Sequence, residues 1–347
     1  MPDAAVLNIG LIGCGAVASF CHMPALRRLR SVRVVAVADI DADARTRMGR
    51  QYRVDTHARY DDLLARPELH AVVISVPPSE HAAVALAAAA AGKPFYLEKP
   101  IATSLAEARS VTTAAAAARV TTAMGFNRRL HPLYLQAAAM VRDGTIGRVR
   151  AVQMTFCEPP PPQGLPSWKL TRAGGGGALL DLASHHIDLL RWILRDEVDA
   201  VEARVTSEFS EDDAAFLHLT LRSGARAQGF YSFRAAWADH LEFVGERGTL
   251  RVDRHRATLS VRRVRDAGYG TRTHWPAPTP AVAAWWLRRI VRRYEDPSYY
   301  HALQAFARQL DGGPALTATL EDGYRSLEIV LAAEESARSG TVLVPRA

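Results

Sequence analysis

The chain has 347 residues, 48% of them apolar, and a formal charge of +7. That length accommodates two domains with a core in each, and the composition is that of a globular protein rather than a disordered or fibrous one. No apolar run reaches the roughly 18 residues of a membrane span, and residues 1 to 5 lack a basic leader, so no membrane partner is expected and the cytoplasm is the expected compartment.

The positive charge raises the question of nucleic acid, but the basic residues are spread along the chain, with only local runs such as 262–265 and 288–293. Such a spread suits solvated faces, and no nucleic-acid partner is expected. Cys14, Cys21 and Cys157 have no metal-ligand spacing and read as free thiols. Among 43 basic residues only Lys93, Lys99 and Lys169 are lysine. Arginine keeps its proton at accessible pH, whereas a partly buried lysine can take part in proton chemistry, so these three positions are site candidates.

In chain order, Val6 to Ile12 predicts a strand, and Gly13-Cys14-Gly15-Ala16-Val17-Ala18 a tight turn into a helix. Glycines at 13 and 15 permit the turn and a close backbone approach to a pyrophosphate at the helix N-terminus; Ala18 fills the helix-packing position. A second strand, Val32 to Ala38, ends at Asp39, placed to accept hydrogen bonds from an adenosine ribose. The alternative for Asp39 is a cap of the next helix. With Ile40 and Asp41 following and no basic residue before Arg45, NAD is favoured over NADP.

Strands at 71–76, 94–97 and 120–124 alternate with helices at 79–91 and 104–118, the pattern of a doubly wound parallel sheet. Ser75-Val76-Pro77-Pro78 and Glu98-Lys99-Pro100 end two of these strands at the carboxyl edge, where such sheets bind ligands. A helical stretch from Asn127 to Arg142 and a strand from Val149 to Cys157 follow. Pro159 to Pro162 then make a stiff loop leading to Trp168-Lys169. Trp168 presents a flat apolar face and Lys169 a donor, and anchoring of the loop is one reading of the pair.

The run Gly174 to Gly177 gives way to helical sequence in which Asp181, His185 and Asp188 share a face, while His186 stands about 100° around the helix. A carboxylate stacked on an imidazole suits general acid/base work, but a buried structural pair and a metal-binding face are open readings of the same residues. Strands at 198–208, 215–222, 225–233, 239–245 and 248–253, joined by short turns, predict a broad antiparallel sheet. The Arg- and Trp-rich stretch 262–298 reads as a lid, an oligomer contact or a locally packed helix, and 299–311 and 320–338 as amphipathic helices.

Taken together, Ile12-Gly13-Cys14-Gly15, His22-Met23-Pro24-Ala25-Leu26, Asp39, Glu98-Lys99-Pro100, Gly125-Phe126-Asn127-Arg128 and the Gly-rich run into Asp181 and His185 resemble the Gfo/Idh/MocA oxidoreductases. That family includes glucose–fructose oxidoreductase and inositol dehydrogenase, and the resemblance runs from about residue 6 to about 253, with a similar helical ending from Tyr299. It implies an α/β chain: a doubly wound Rossmann domain at 1–125, and at 126–347 an α/β domain with a large, mostly antiparallel open sheet through which homodimers or homotetramers form.

By position, the resemblance makes Lys99, Asp181 and His185 catalytic. It places Gly13, Gly15, Ala16, Val17, Asp39, Ile40, Ser75, Pro77, His81, Glu98, Lys99 and Asn127 at the nucleotide. Arg128, Trp168 and Lys169, with Lys99, Asp181 and His185, fall at a sugar or cyclitol substrate. His185 would move the hydroxyl proton, Asp181 orient it and Lys99 polarise the reacting oxygen, with no metal required. Two alternatives accompany the dehydrogenase reading: NAD-assisted glycoside cleavage through transient oxidation, and a nucleotide-sensing regulator without catalysis. In this reading Asp188 packs or hydrogen-bonds its helix, His186 lies just behind the cleft, and the glycines let the helix start approach nicotinamide and substrate.

Overall fold

A computed structural model describes residues 6–161, 163–264, 271–291 and 296–345. The end of the polyproline tract, Pro162, and parts of the 262–298 stretch lie outside them. The chain forms two compact units: Met1–Leu130 with Asp296–Arg325, and His131–Glu295 with Ser326–Ala347. A simple cut after residue 125 therefore omits a C-terminal segment from the first unit. The reason is packing: the helix Pro297–Leu310 buries Leu303 and Phe306 in the same apolar cluster as Leu7, Ile9, Leu11 and Tyr96.

The first unit contains strands β1 (Leu7–Ile12), β2 (Val32–Ala38), β3 (Asp55–His57), β4 (Ala71–Ile74), β5 (Phe95–Leu97) and β6 (Thr122–Met124). They are all parallel, in the order β3-β2-β1-β4-β5-β6 of a doubly wound sheet. β4 is buried along its whole length, as expected where helices cover both faces. The short edge strand β3 lacks a readable apolar signal, because its Asp-Thr-His sequence is largely exposed.

The second unit holds β7 (Val149–Cys157), β8 (Val198–Thr206), β9 (Ala214–Leu221), β10 (Arg226–Ser232), β11 (Ala238–Gly245), β12 (Gly248–Asp253), β13 (Thr258–Val264) and β14 (Thr271–His274). Their order is β14-β13-β12-β11-β7-β10-β9-β8, antiparallel throughout except where β7 and β10 run parallel. β13 and β14 put strand where the sequence suggests no sheet. Alternation along β9 buries Leu217, Leu219 and Leu221 and leaves Phe216 and His218 outward. Each leucine so buried contributes roughly 1.5–3 kcal/mol, which fixes the register, because a slip by one residue would turn all three to solvent. The helices Pro132–Arg142 and Ser184–Leu194 pack on one another, and the first also meets β12.

No helix among the described residues is long and apolar enough to cross a membrane.

Candidate functional site

In the first unit the turn after β1 is built as its spacing implies. Gly13 has φ +95°, and a Cβ there would lie 2.2 Å from the Ser75 carbonyl oxygen, so only glycine lets β1 leave the sheet beside β4. At Gly15 a Cβ would meet nothing within 4 Å, which leaves the turn open on the side where a pyrophosphate would rest. Ala18 is fully buried at the helix-packing position. The helix it enters has a π-type turn over Ala18–His22 before continuing as Met23–Leu26.

Asp39 ties the turn down: its carboxylate accepts from Cys14 N at 2.6 Å and from Asp41 N at 2.8 Å. The following helix is capped by Asp41, which accepts from Asp43 N and Ala44 N, so Asp39 is not the cap. These backbone bonds hold the Asp41 carboxyl below its ordinary value. Arg45, the first basic residue after Asp39, turns its Nη1 to the carbonyls of Asp39 and Ile40. Ile40 itself is 92% exposed. Burial, then Asp39, pushes the Cys14 thiol up to about 12.

At the end of β5, Glu98 is buried and its two oxygens divide their work. Oε2 accepts from Lys99 N at 3.1 Å, and Oε1 lies 2.9 Å from His22 Nε2. His22, fully buried, sits edge-on to the rings of Tyr96 and Tyr299. Gly125 makes room for Glu98, since a Cβ there would come within 2.8 Å of its Cα and Oε2. The Glu98–His22 contact joins residues too far apart in sequence to be paired by pattern; His22 is visible beforehand only as part of the His-Met-Pro motif. The Lys99–Pro100 peptide is cis.

Some expected nucleotide neighbours are placed differently. His81 is buried with Nδ1 2.5 Å from the Pro100 carbonyl oxygen and Nε2 2.9 Å from that of Val76. Both ring nitrogens face the chain itself, so His81 braces the loops after β4 and β5 rather than presenting a donor to a ligand. Burial drives its pKa down although both carbonyls pull it up. Asn127 is likewise interior, donating from Nδ2 to Ser298 Oγ at 2.8 Å. Arg128 is buried in the short helical turn Asn127–Leu130. Lys93 serves the fold, its Nζ donating to the carbonyls of Arg66 and Leu69 at 3.1 and 2.9 Å.

In the second unit Asp181 lies in a π-type turn, Leu179–Ala183, that leads into the helix Ser184–Leu194. This departs from the expected uninterrupted α-helix, and such turns occur frequently at functional sites. Asp181 is 6% exposed and His185 9%, with the His185 ring 6.2 Å from that of Phe156. The Asp181 carboxylate meets Lys169, with Nζ 2.6 Å from Oδ2. Burial works against the Lys169 charge, yet Asp181 and Glu158 hold its ammonium above the ordinary lysine value. Nζ also stands 5.4 Å from the Trp168 ring centre and 5.5 Å from that of Phe233. One face of Trp168 is therefore already turned to the chain's own cation.

The glycine run serves that arrangement. A Cβ on Gly174 would fall 2.4 Å from the Trp168 carbonyl oxygen, and one on Gly176 2.3 Å from that of Lys169. At these two positions the closest neighbour is the chain's own turn Ser167–Leu170. His186 is fully buried, its Nε2 3.1 Å from Asp239 Oδ1, and Asp239 also receives Arg254 at 2.6 Å. It belongs to the interior between the helix and β11 rather than to the rear of a cleft. Asp188 is buried on the same helix. No group of three or more His, Cys, Asp or Glu side chains that could hold a metal occurs among the described residues.

The comparisons agree with this geometry. Residues 7–126 match the model of the oxidoreductase family with an NAD-binding Rossmann fold, and residues 134–251 that of the GFO/IDH/MocA C-terminal domain. The chain is 29% identical to an inositol 2-dehydrogenase of Acidothermus cellulolyticus, over 97% of this chain and 94% of that one. It is 30% identical to a dTDP-3,4-didehydro-2,6-dideoxy-alpha-D-glucose 3-reductase of Actinomadura kijaniata, over 73% and 76%. An oxidoreductase domain protein of Kribbella flavida has a similar structure, with a TM-score of 0.86 and 25% identity, over 99% of this chain and 100% of that one. With an open glycine turn tied to Asp39 in one unit and the Asp181–His185 helix in the other, the chain belongs to the Gfo/Idh/MocA family of NAD-binding oxidoreductases.

Proposed function

We propose that this oxidoreductase is an NAD-dependent dehydrogenase or reductase acting on a hydroxyl or ketone of a sugar, amino sugar or cyclitol, with His185 as the proton carrier. The observation that carries the reading is Asp181: a buried, ion-paired carboxylate four residues before an imidazole in an otherwise apolar helix start. The relatives named for a cyclitol and for a nucleotide-linked keto sugar favour this substrate range.

The backbone at Gly13, Gly15, Ala16 and Val17 would cradle the pyrophosphate, and Asp39 would accept from the ribose hydroxyls. The anionic Asp39 and the engagement of Arg45 with backbone carbonyls both disfavour a 2′-phosphate, hence NAD rather than NADP. Bound nicotinamide supplies the hydride acceptor or donor. His185 removes the hydroxyl proton on oxidation and returns it on reduction, and Asp181 stabilises the imidazolium. Lys99 polarises the reacting oxygen, on a backbone that Glu98 holds at its N–H. Homo-oligomers form through the open face of the second sheet, where Phe216 is 57% exposed and packs 4.8 Å from the Phe230 ring.

The test is NADH binding and a polyol, sugar and cyclitol screen on the purified chain. His185→Ala and Lys99→Met should cut turnover by at least about a hundredfold while NADH still binds. Unimpaired turnover in either variant would discard the assigned role. Product analysis separates simple oxidation from glycoside cleavage, since cleavage through transient oxidation leaves no net NADH.

A further inference from the structure

Lys169 is the only lysine in the second unit, in a chain that otherwise uses arginine almost throughout. Its ammonium lies 2.6 Å from Asp181 Oδ2, with the two side chains 20% and 9% exposed. Two rings flank it, Trp168 at 5.4 Å and Phe233 at 5.5 Å. A cation between two aromatic faces resists reorientation. The turn that carries it is seated by two glycines at which any side chain would strike the Trp168 or Lys169 carbonyl. Sequence, backbone and rings therefore converge on one ammonium-to-carboxylate contact.

We propose that Lys169 is a positioning residue that acts through Asp181, keeping the carboxylate ionised and aimed so that it governs the state of the His185 ring, rather than a ligand for the substrate. The inference rests on the reading of His185 as proton carrier. In a buried, low-dielectric setting an uncompensated carboxylate would take up a proton or turn away to a new partner. The Lys169 ammonium removes both options. Substrate hydroxyls then meet a site whose charge is balanced before they arrive, and the reorganisation needed during proton transfer is smaller.

The experiment uses the full chain labelled with 15N-histidine, with His185 assigned from a His185→Gln sample. In Lys169→Met the His185 ring-nitrogen resonances should move well beyond any change at His186, whose partner is Asp239. Asp181→Asn should move them too, and adding Lys169→Met to Asp181→Asn should change little further. His185 resonances that stay in place in Lys169→Met, or shifts that simply add in the double variant, would overturn the proposal. Lys169→Gln provides the same test should the methionine variant fold poorly.

Kinetics with whichever substrate the screen returns give a second readout. Lys169→Met should lower kcat about tenfold or more with KM within about twofold, and have no further effect in an Asp181→Asn background. A rise in KM alone would mean that Lys169 binds substrate. Full turnover in His185→Ala would instead discard the proton-transfer reading while leaving the Lys169–Asp181–His185 coupling to be judged by the resonances.

Discussion

At the nucleotide turn of the first unit a methyl group placed on Gly15 would meet no protein atom within 4 Å, whereas one on Gly176 of the second would come to 2.3 Å of the Lys169 carbonyl. Both turns precede a helix with a π-type start, at Ala18–His22 and at Leu179–Ala183. In the first the glycine keeps a cradle open for something the chain does not supply. In the second the space is filled by the chain's own backbone, which brings a cation to a buried carboxylate. A glycine-rich turn before a helix is therefore not in itself a ligand site; what a Cβ would touch distinguishes the two cases.

Substitutions can break or sharpen that contrast. The largest effect is expected at Gly13→Ala, which adds a side chain at φ +95° against the Ser75 carbonyl. A loss on the order of 3 kcal/mol, or roughly 4 °C in melting temperature for a chain of this size, is expected and is measurable by calorimetry. Next comes Gly176→Ala, which must displace the turn carrying Lys169. Turnover should fall about tenfold with NADH affinity nearly unchanged, and equal activity would show that the turn has slack.

Gly15→Ala should do the reverse, leaving the melting temperature of the protein without nucleotide within about 2 °C of the parent while weakening NADH binding about tenfold, as titration by NADH fluorescence would show. A variant with full affinity would mean that the open side of the turn is not where the pyrophosphate rests. The smallest expected effect concerns Cys14, buried in that turn with its thiol pushed up to about 12. Alkylation near pH 8 followed by mass spectrometry should leave Cys14 essentially unmodified while the partly exposed Cys21 reacts.

Much of the first unit is legible in the sequence because each step has a local cause. Apolar runs give strands, Gly13 a forced turn, and Asp39 sits at the end of β2, although the cap of the next helix falls to Asp41 rather than to Asp39. The scarcity of lysine is a mixed guide. It singles out Lys169, which meets Asp181, but also Lys93, which only satisfies two carbonyls. The π-type turn around Asp181 is not legible, since one extra residue in a helical turn leaves the apolar pattern almost unchanged. Contacts between distant residues are also hidden: Glu98 with His22, His186 with Asp239, and Asn127 with Ser298. A side chain's burial can be guessed from periodicity, but its partner is decided by the topology of the whole unit.

The helix Pro297–Leu310 brings Leu303, Phe306 and, beside His22, Tyr299 to the core of a unit whose strands all come before residue 131. During synthesis the ribosome must therefore make the whole of His131–Glu295 before the first unit can close over Tyr96 and His22. Until then the early strands carry an uncovered aromatic surface, a state prone to association with other chains. A fragment ending at residue 130 should be poorly soluble, and adding residues 296–325 as a separate peptide should rescue it. In this chain the unit that begins first is completed only after most of the second has been made.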